Sequence, residues 1–144
     1  MDPVVFVIFG ASGDLTRRKL IPAIFDLFRL GQLPEKFALL GVSRSTLSDE
    51  AFRDKVVLSN EHFDDSEVSA EQKNEFASRL FYQPIDTSDV NEYAKVKDRL
   101  ELLNEKFDTS GNYIFYLSTP PKLYATIPNS VSYTHLTLPT KRIV

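Results

Sequence analysis

Four apolar runs mark the chain, and each is followed by turn residues or by a stretch with helical spacing. The first run, Val4–Phe9, is continuous and rich in β-branched residues, which is typical of a strand buried on both faces of a helix-covered parallel sheet. Further strands are predicted over about 37–42, 80–85 and 113–117. Because Pro84 cannot donate to a sheet ladder, we expect the third strand to lie at an edge or to end early.

Apolar residues recur at helical spacing after the first two runs. After the first run the pattern reaches residue 28, and Pro22 predicts a short first turn near 14–19 with a kink or restart near the proline. Ser48 is expected to cap a helix over about 49–58, because its hydroxyl can accept from a free amide of the first turn.

The second half of the chain continues the alternation of helices and strands. Residues 70–80 are weakly helical, and a strongly amphipathic helix follows Thr87 and Ser88. Its expected apolar side consists of Val90, Tyr93, Ala94, Val96, Leu100 and Leu103. The order β-α-β-α-(α)-β-α-β predicts an α/β fold with a doubly wound parallel sheet.

Composition narrows the class of protein. Hydrophobic residues make up 42% of 144, which supplies a core and argues against disorder throughout. Seventeen basic and 20 acidic residues give a net charge of −3, so nothing favours nucleic acid or an anionic membrane as a partner. The absence of cysteine excludes disulfides, thiolate metal sites and a Cys nucleophile, and suits a reducing compartment. The apolar runs are shorter than the roughly 20 residues of a spanning helix, so we expect a cytoplasmic protein.

The last fourteen residues depart from this pattern. Residues 131–144 alternate small polar and apolar side chains without an acid, and they resemble one reading frame of a transposase adapter used in sequencing libraries. We therefore predict a domain fragment over 1–130, with a sheet incomplete at its C-terminal side, and a non-native tail over 131–144. The alternative is a genuine strand or loop.

The main candidate for chemistry is the turn Gly10-Ala11-Ser12-Gly13-Asp14-Leu15, between the first strand and the first helix. A helix N-terminus presents unpaired amides and a partial positive charge, and glycines let the main chain approach a phosphate closely. The spacing is G-x-x-G and differs from the G-x-G-x-x-G dinucleotide pattern. The alternative is that the glycines only form a tight turn.

A second candidate lies directly after the second strand, in Ser43-Arg44-Ser45. Domains that bind NAD usually carry a carboxylate here for the ribose 2′-hydroxyl, whereas those that bind NADP need cationic donors for the 2′-phosphate. No acid occurs before Asp49, and Arg44 can bind phosphate through two parallel hydrogen bonds. The pattern favours NADP, with a solvated surface arginine as the alternative.

These segments together resemble the glucose-6-phosphate dehydrogenase family. The resemblance rests on residues 9–20 with Pro22, on residues 41–45, and on residues 114–117 followed by Pro120-Pro121, and it covers about 4–130. It implies a Rossmann-like coenzyme domain, with a larger α+β domain that completes the sugar-phosphate site and the interface of a homo-oligomer. It also implies a cytosolic enzyme that oxidises glucose 6-phosphate at the start of the oxidative pentose phosphate pathway.

The resemblance also implies roles for individual residues. Gly10 to Leu15 would cradle the pyrophosphate of NADP, and Arg44 with Ser45 would hold its 2′-phosphate. Asp86 and Thr87 match a family position near the adenine half, although helix capping is an equally good explanation. The remaining matches, on the nicotinamide side, are Thr119, Pro120 and Tyr124, and for Tyr124 core packing is the alternative.

The departures from the family concern catalysis. The family's Arg-Ile-Asp-His-Tyr-Leu-Gly-Lys segment, which holds the catalytic histidine, and its Glu-Lys-Pro segment do not occur in this chain. We therefore predict no catalytic residue and no metal site here, and we expect His62 at the surface. Two rival interpretations are a short-chain reductase using Tyr93-x-x-x-Lys97, and a regulatory module that senses NADP.

Overall fold

The computed structural model describes residues 3–61, 63, 69–109, 111–117 and, for the main chain, 140–143. Its centre is a parallel sheet in the order β3-β2-β1-β4-β5. The strands are β1 (Val4–Phe9), β2 (Phe37–Ser43), β3 (Leu80–Pro84), β4 (Asn112–Leu117) and β5 (Thr140–Ile143). The predicted α/β class with a doubly wound sheet is confirmed, and β3 lies at an edge as Pro84 predicts.

Among the described residues, four helices accompany the strands, and three of them are extended by turns of different pitch. A π-helical turn, Thr16–Leu20, leads into α1 (Ile21–Arg29), so the predicted restart near Pro22 is confirmed. The other helices are α2 (Asp49–Arg53), continued by a π-helical turn over Asp54–Leu58, then α3 (Ala70–Ala77), and α4 (Tyr93–Phe107) after a 3₁₀ turn over Val90–Glu92.

Both faces of β1 are buried, which explains its unbroken apolar sequence. Val4, Phe6 and Ile8 belong to a core shared with α1, α2 and α3, while alternate residues such as Val5 and Val7 belong to a core shared with α4. Successive strand residues point to opposite faces, so helices on both sides require apolar residues at every position.

Two helix starts show why the local sequence positions these elements. The Ser48 hydroxyl accepts from the amide of Ala51 at 3.0 Å, which confirms the predicted cap of α2. The predicted apolar side of α4 is partly wrong, because Val90 and Ala94 are exposed. Val90 belongs to the 3₁₀ turn, whose tighter pitch breaks the helical spacing and turns its side chain outward.

The C-terminal segment contributes an edge strand. Thr140 to Ile143 pair in parallel with Asn112 to Phe115 of β4. This strand lies within the segment 131–144, so part of that segment pairs with β4. The origin of the segment as a non-native tail stays a prediction. None of the helices in the described ranges has the length and hydropathy needed to cross a bilayer.

Gly41 in the middle of β2 allows close packing below the carboxyl end of the sheet. A Cβ at this position would lie 2.7 Å from Phe52 Cζ and 2.8 Å from Ala11 Cβ, well inside contact distance. We expect Gly41→Ala to destabilise the fold by about 1–3 kcal/mol, because overpacking must push helix α2 or the Ala11 turn aside. Urea denaturation followed by circular dichroism measures this loss.

Gly31→Asn provides the matched control for Gly41→Ala. Gly31 has a φ of +71° with nothing within 4 Å of an added Cβ, and asparagine tolerates this left-handed conformation. We expect a smaller loss of stability in this variant. Equal losses in the two variants would contradict the packing explanation.

Candidate dinucleotide-binding site

Because the strands are parallel, their carboxyl ends lie at the same end of the sheet, and the candidate residues lie there. Phe9 of β1 is paired with Val42 of β2, and Ser43 is paired with Pro84 of β3, so the segments that follow these strands are neighbours. Sheets of this kind bind ligands in a crevice outside the carboxyl ends of their strands. The structure therefore brings together Gly10–Leu15, Ser43–Ser45 and the segment after β3.

Main-chain hydrogen bonds hold the turn after β1 in place. Gly10 has a φ of +82°, and its amide and that of Ala11 both donate to the Val42 carbonyl, at 2.8 and 3.3 Å. The Gly13 amide returns to the Gly10 carbonyl at 3.0 Å. Glycine at the first position is required because a side chain at this φ is strained.

The helix that opens after this turn leaves main-chain donors free. In the described part of the chain, the amides of Asp14, Leu15 and Thr16 have no hydrogen-bond acceptor, whereas the Arg17 amide reaches the Gly13 carbonyl at 3.4 Å. Thr16 is fully buried, so the amides of Asp14 and Leu15 are the two that can bind an anionic group such as phosphate. The Asp14 and Leu15 side chains are exposed, and Asp14 lies 3.4 Å from Arg18 Nε.

Arg44 lies at the mouth of a pocket between the ends of β2 and β3. The pocket has a volume of about 460 Å³ and is lined by Arg44, Thr46, Pro84, Ile85, Asp86 and Glu92. The Arg44 side chain is exposed and, among the described residues, has no hydrogen bond or ion pair of its own. Its guanidinium is free to bind an anionic ligand.

Asp86 and Thr87 have structural partners at this pocket. Asp86 Oδ1 accepts from the amide and the hydroxyl of Ser88, at 3.0 and 2.7 Å, and these bonds lower the carboxyl pKa, with a smaller effect from the positive charge of Arg44. Thr87 is buried, and its carbonyl accepts from the Tyr93 hydroxyl at 2.8 Å. Turn formation is therefore observed for Asp86, which also lines the pocket.

A layer of hydroxyl groups joins the two turns, and no pattern in the sequence predicts its full extent. The Ser12 amide donates to Ser43 Oγ at 3.2 Å, and the Ser12 and Ser43 hydroxyl oxygens are 2.8 Å apart. Ser45 Oγ donates to Ser12 Oγ at 3.1 Å. Below them lies the Tyr82 hydroxyl, 2.5 Å from Ser43 Oγ. Burial raises the pKa of Tyr82, so this hydroxyl keeps its proton at neutral pH.

Lys55 is a second residue that sequence reasoning missed. Its ammonium group donates to the Ser12 carbonyl at 2.9 Å and so ties the turn after α2 to the turn after β1. Lys55 lies 43 residues from Ser12 in sequence, and its spacing from Ser48 marks it only as a residue of the same helical segment. The contact places a positive charge beside the open amides.

The cations that follow the glycine turn are largely engaged with neighbouring carboxylates. Arg17 pairs with Glu61, and Asn60 Nδ2 donates to the Arg17 carbonyl at 2.7 Å. Arg18 pairs with Asp14, and Lys19 is exposed. These three basic residues therefore form a largely ion-paired helix face.

The rival pair Tyr93-x-x-x-Lys97 does not form a catalytic arrangement. Tyr93 is fully buried with its hydroxyl on the Thr87 carbonyl, and Lys97 lies 3.6 Å from Glu101. A general acid must reach the substrate, which a fully buried phenol does not. The predicted residues His62, Thr119, Pro120 and Tyr124 lie outside the described part of the chain.

The fold and the site together define the class. A parallel sheet in the order 3-2-1-4, a glycine turn after its first strand and a helix N-terminus with free amides define a Rossmann-like dinucleotide-binding domain. Residues 7–144 match the family "Glucose-6-phosphate dehydrogenase, NAD binding domain", so this chain belongs to that family and its class of cofactor is a nicotinamide dinucleotide.

Individual relatives agree with this assignment. The chain is 46% identical over 125 residues to glucose-6-phosphate 1-dehydrogenase of Aggregatibacter actinomycetemcomitans, covering 85% of the chain and 24% of the relative. It is 40% identical to the same enzyme of Treponema pallidum, covering 93% of the chain and 26% of that protein. The chain thus spans about a quarter of the length of these relatives.

Solved structures match in fold over almost the entire chain. One is a glucose-6-phosphate dehydrogenase in complex with its substrate glucose 6-phosphate, with a TM-score of 0.84 and 28% identity, covering 99% of this chain and 30% of the other. A second, from Mycobacterium avium, has a TM-score of 0.72 and 27% identity, covering 98% and 29%. This chain covers less than a third of each of these relatives, which agrees with its being a fragment of a longer enzyme.

Lys55→Met tests whether this ammonium supports ligand binding. We expect the Kd for NADPH, measured by fluorescence titration, to rise about tenfold, because a charged hydrogen bond that holds the Ser12 carbonyl is lost. Methionine keeps the length and the apolar stem of the side chain, so packing should change little.

Lys36→Met is the control for Lys55→Met. Lys36 pairs with Asp108 at 2.9 Å beside the start of β2, at the opposite end of the sheet from the candidate site. The variant removes the same charge without touching the site, so its NADPH affinity should stay unchanged. A similar loss of affinity in both variants would show that only the overall charge matters.

Proposed function

We propose that this chain is the NADP-binding part of a glucose-6-phosphate dehydrogenase. The whole enzyme would oxidise D-glucose 6-phosphate to 6-phospho-D-glucono-1,5-lactone, the first step of the oxidative pentose phosphate pathway. We further propose that it is a cytoplasmic homo-oligomer. Family membership and the names of the relatives support the reaction, since one related structure carries glucose 6-phosphate as its substrate.

The preference for NADP rests on Arg44. Its guanidinium extends from the end of β2 without an ion pair among the described residues, and the stretch from the end of β2 to Leu47 contains no acid. A 2′-phosphate on the adenosine ribose would accept two parallel hydrogen bonds from the guanidinium, with the Ser45 hydroxyl as a further donor. NAD lacks this phosphate and would leave Arg44 without a ligand group.

The other predicted residues would hold the shared parts of the cofactor. The free amides of Asp14 and Leu15, which follow Gly13, would bind the pyrophosphate, with the partial charge of the helix start favouring an anion. The pocket beside Asp86 would take the adenosine, whose amino group can donate to a carboxylate. When bound, the nicotinamide would supply the hydride acceptor, and these residues would hold the pyrophosphate and the adenosine to which it is joined.

Arg44→Ala tests the choice of cofactor. We expect the Kd for NADPH to rise roughly 30- to 100-fold, since charge-assisted bonds to phosphate contribute about 2–3 kcal/mol, while the Kd for NADH stays nearly constant. Arg44→Lys should show an intermediate loss, because lysine keeps the charge but lacks the planar fork.

The measurement is a fluorescence titration of each variant with both reduced cofactors, with Lys36→Met as the charge control. The ratio of the two Kd values reports the 2′-phosphate contribution and is independent of small changes in folding. A ratio in Arg44→Ala equal to that of the wild type would remove Arg44 from the proposed site.

The chain alone should not carry out the reaction. Neither family segment that carries the catalytic histidine and the substrate lysine occurs in its sequence, and hydride transfer from the sugar needs a base within hydrogen-bonding distance. We expect no NADPH absorbance when the chain is mixed with NADP and glucose 6-phosphate under conditions in which it binds NADPH. Steady formation of NADPH would contradict the assignment of the base to sequence beyond this chain.

A further inference from the structure

Tyr82 lies beneath the candidate site and does not contact the surface on which the cofactor is proposed to bind. Its side chain is 2% exposed, and its ring packs against that of Phe52 with centroids 5.0 Å apart. The ring holds its place in the core through this packing. The hydroxyl, by contrast, points to the polar layer between the turns that follow β1 and β2.

The partners of this hydroxyl fix its hydrogen-bond direction. Tyr82 Oη lies 2.6 Å from the Ser45 carbonyl, which can only accept, so the single phenolic proton is donated there. Ser43 Oγ lies 2.5 Å from the same Tyr82 oxygen, within hydrogen-bonding distance. One buried oxygen thus holds the main chain after Arg44 and the side chain before it.

Ser43 extends this connection to the other turn. Its hydroxyl oxygen accepts from the Ser12 amide at 3.2 Å and lies 2.8 Å from the Ser12 hydroxyl. Ser12 belongs to the glycine turn proposed to bind the pyrophosphate. The Tyr82 oxygen therefore joins the segment that carries Arg44 to the segment that carries the free amides.

We propose that Tyr82 is a positioning residue that sets the preference for a 2′-phosphorylated dinucleotide by fixing the Arg44-Ser45 segment relative to the Gly10–Gly13 turn. This inference rests on the proposed function, because it assumes that Arg44 binds the 2′-phosphate. Without the Tyr82 oxygen, the Ser45 carbonyl and the Ser43 hydroxyl each lose a partner in a partly buried layer, and the segment would move to pair with water.

Loss of the Tyr82 oxygen should affect the two parts of the candidate site differently. Loss of the Tyr82 oxygen frees the segment that carries Arg44, but it leaves Gly10 held to the Val42 carbonyl and leaves the amides after Gly13 in place. A bidentate contact depends strongly on geometry, whereas main-chain donors on a helix keep their positions. Binding of the 2′-phosphate should therefore suffer more than binding of the rest of the cofactor.

Tyr82→Phe in the full chain tests this proposal. The probes are adenosine 2′,5′-bisphosphate and adenosine 5′-monophosphate, with Kd values from calorimetry. Each corresponds to the adenosine half of the cofactor, and the two differ only in the 2′-phosphate. We expect Tyr82→Phe to bind the bisphosphate about tenfold more weakly, as for loss of one buried hydrogen bond, with less than a twofold change for the monophosphate. Phenylalanine keeps the ring that packs against Phe52.

Two further variants separate positioning from stability. Tyr113 is another buried tyrosine, and it is paired with Val5 near the amino end of the sheet. Tyr113→Phe removes its hydroxyl and should leave both Kd values unchanged. Ser43→Ala breaks the connection between the Tyr82 oxygen and Ser12, so its preference for the bisphosphate should also fall, and a ratio of Kd values equal to that of the wild type would contradict the role of this connection.

The outcomes separate the proposed 2′-phosphate site from the proposed role of Tyr82. If the wild-type chain binds both probes equally, the proposed 2′-phosphate site is wrong, and the role of Tyr82 is wrong with it. If the wild type prefers the bisphosphate and Tyr82→Phe keeps the same ratio, only the role of Tyr82 is overturned. A loss of both probes in proportion, with a lower melting temperature, would assign Tyr82 to the fold alone and would also overturn the proposal.

Discussion

The parallel pairing of β1 with its neighbours on both sides is the constraint on which the rest of the structure depends. Because β1 pairs with β2 on one side and β4 on the other, its side chains on each face must be covered by helices. The same pairing brings the carboxyl ends of the strands to one edge. There the chain leaves the sheet at Gly10 and at Ser43, and the two turns share hydrogen bonds. The position of the candidate site is thus a consequence of how the core is buried.

The site combines two kinds of positive potential with different tolerance to movement. Main-chain amides at the start of a helix are held by the backbone, so their direction changes only if the turn itself changes. The Arg44 guanidinium lies at the end of a long, exposed side chain, and its usefulness depends on the segment that carries it. If Arg44 binds the 2′-phosphate as proposed, this difference gives the partly buried hydroxyl layer beneath Arg44 a role in recognition, although the layer lies outside the pocket lining.

The core packing and the site also share residues. Phe52 packs against Tyr82 and would collide with any side chain at Gly41, so helix α2 lies close to the sheet at this point. That closeness lets Lys55, one turn further along, reach the Ser12 carbonyl. The lack of a side chain at Gly41 therefore affects the contact of Lys55 at the carboxyl end of the sheet, because interiors are close-packed and transmit displacements.

The sequence by itself determined the class of fold, the bounds of β1, the edge position of β3 and the two turns that carry the candidate cofactor residues, because these follow from local periodicity and from residue chemistry. It misplaced Val90, since the spacing rule assumes one pitch and the chain uses a 3₁₀ turn there. Only the tertiary structure decided that Tyr82 reaches the Ser45 carbonyl and that Lys55 reaches the Ser12 carbonyl. These contacts join residues 37 and 43 positions apart, and no local pattern records which side chains the sheet brings together.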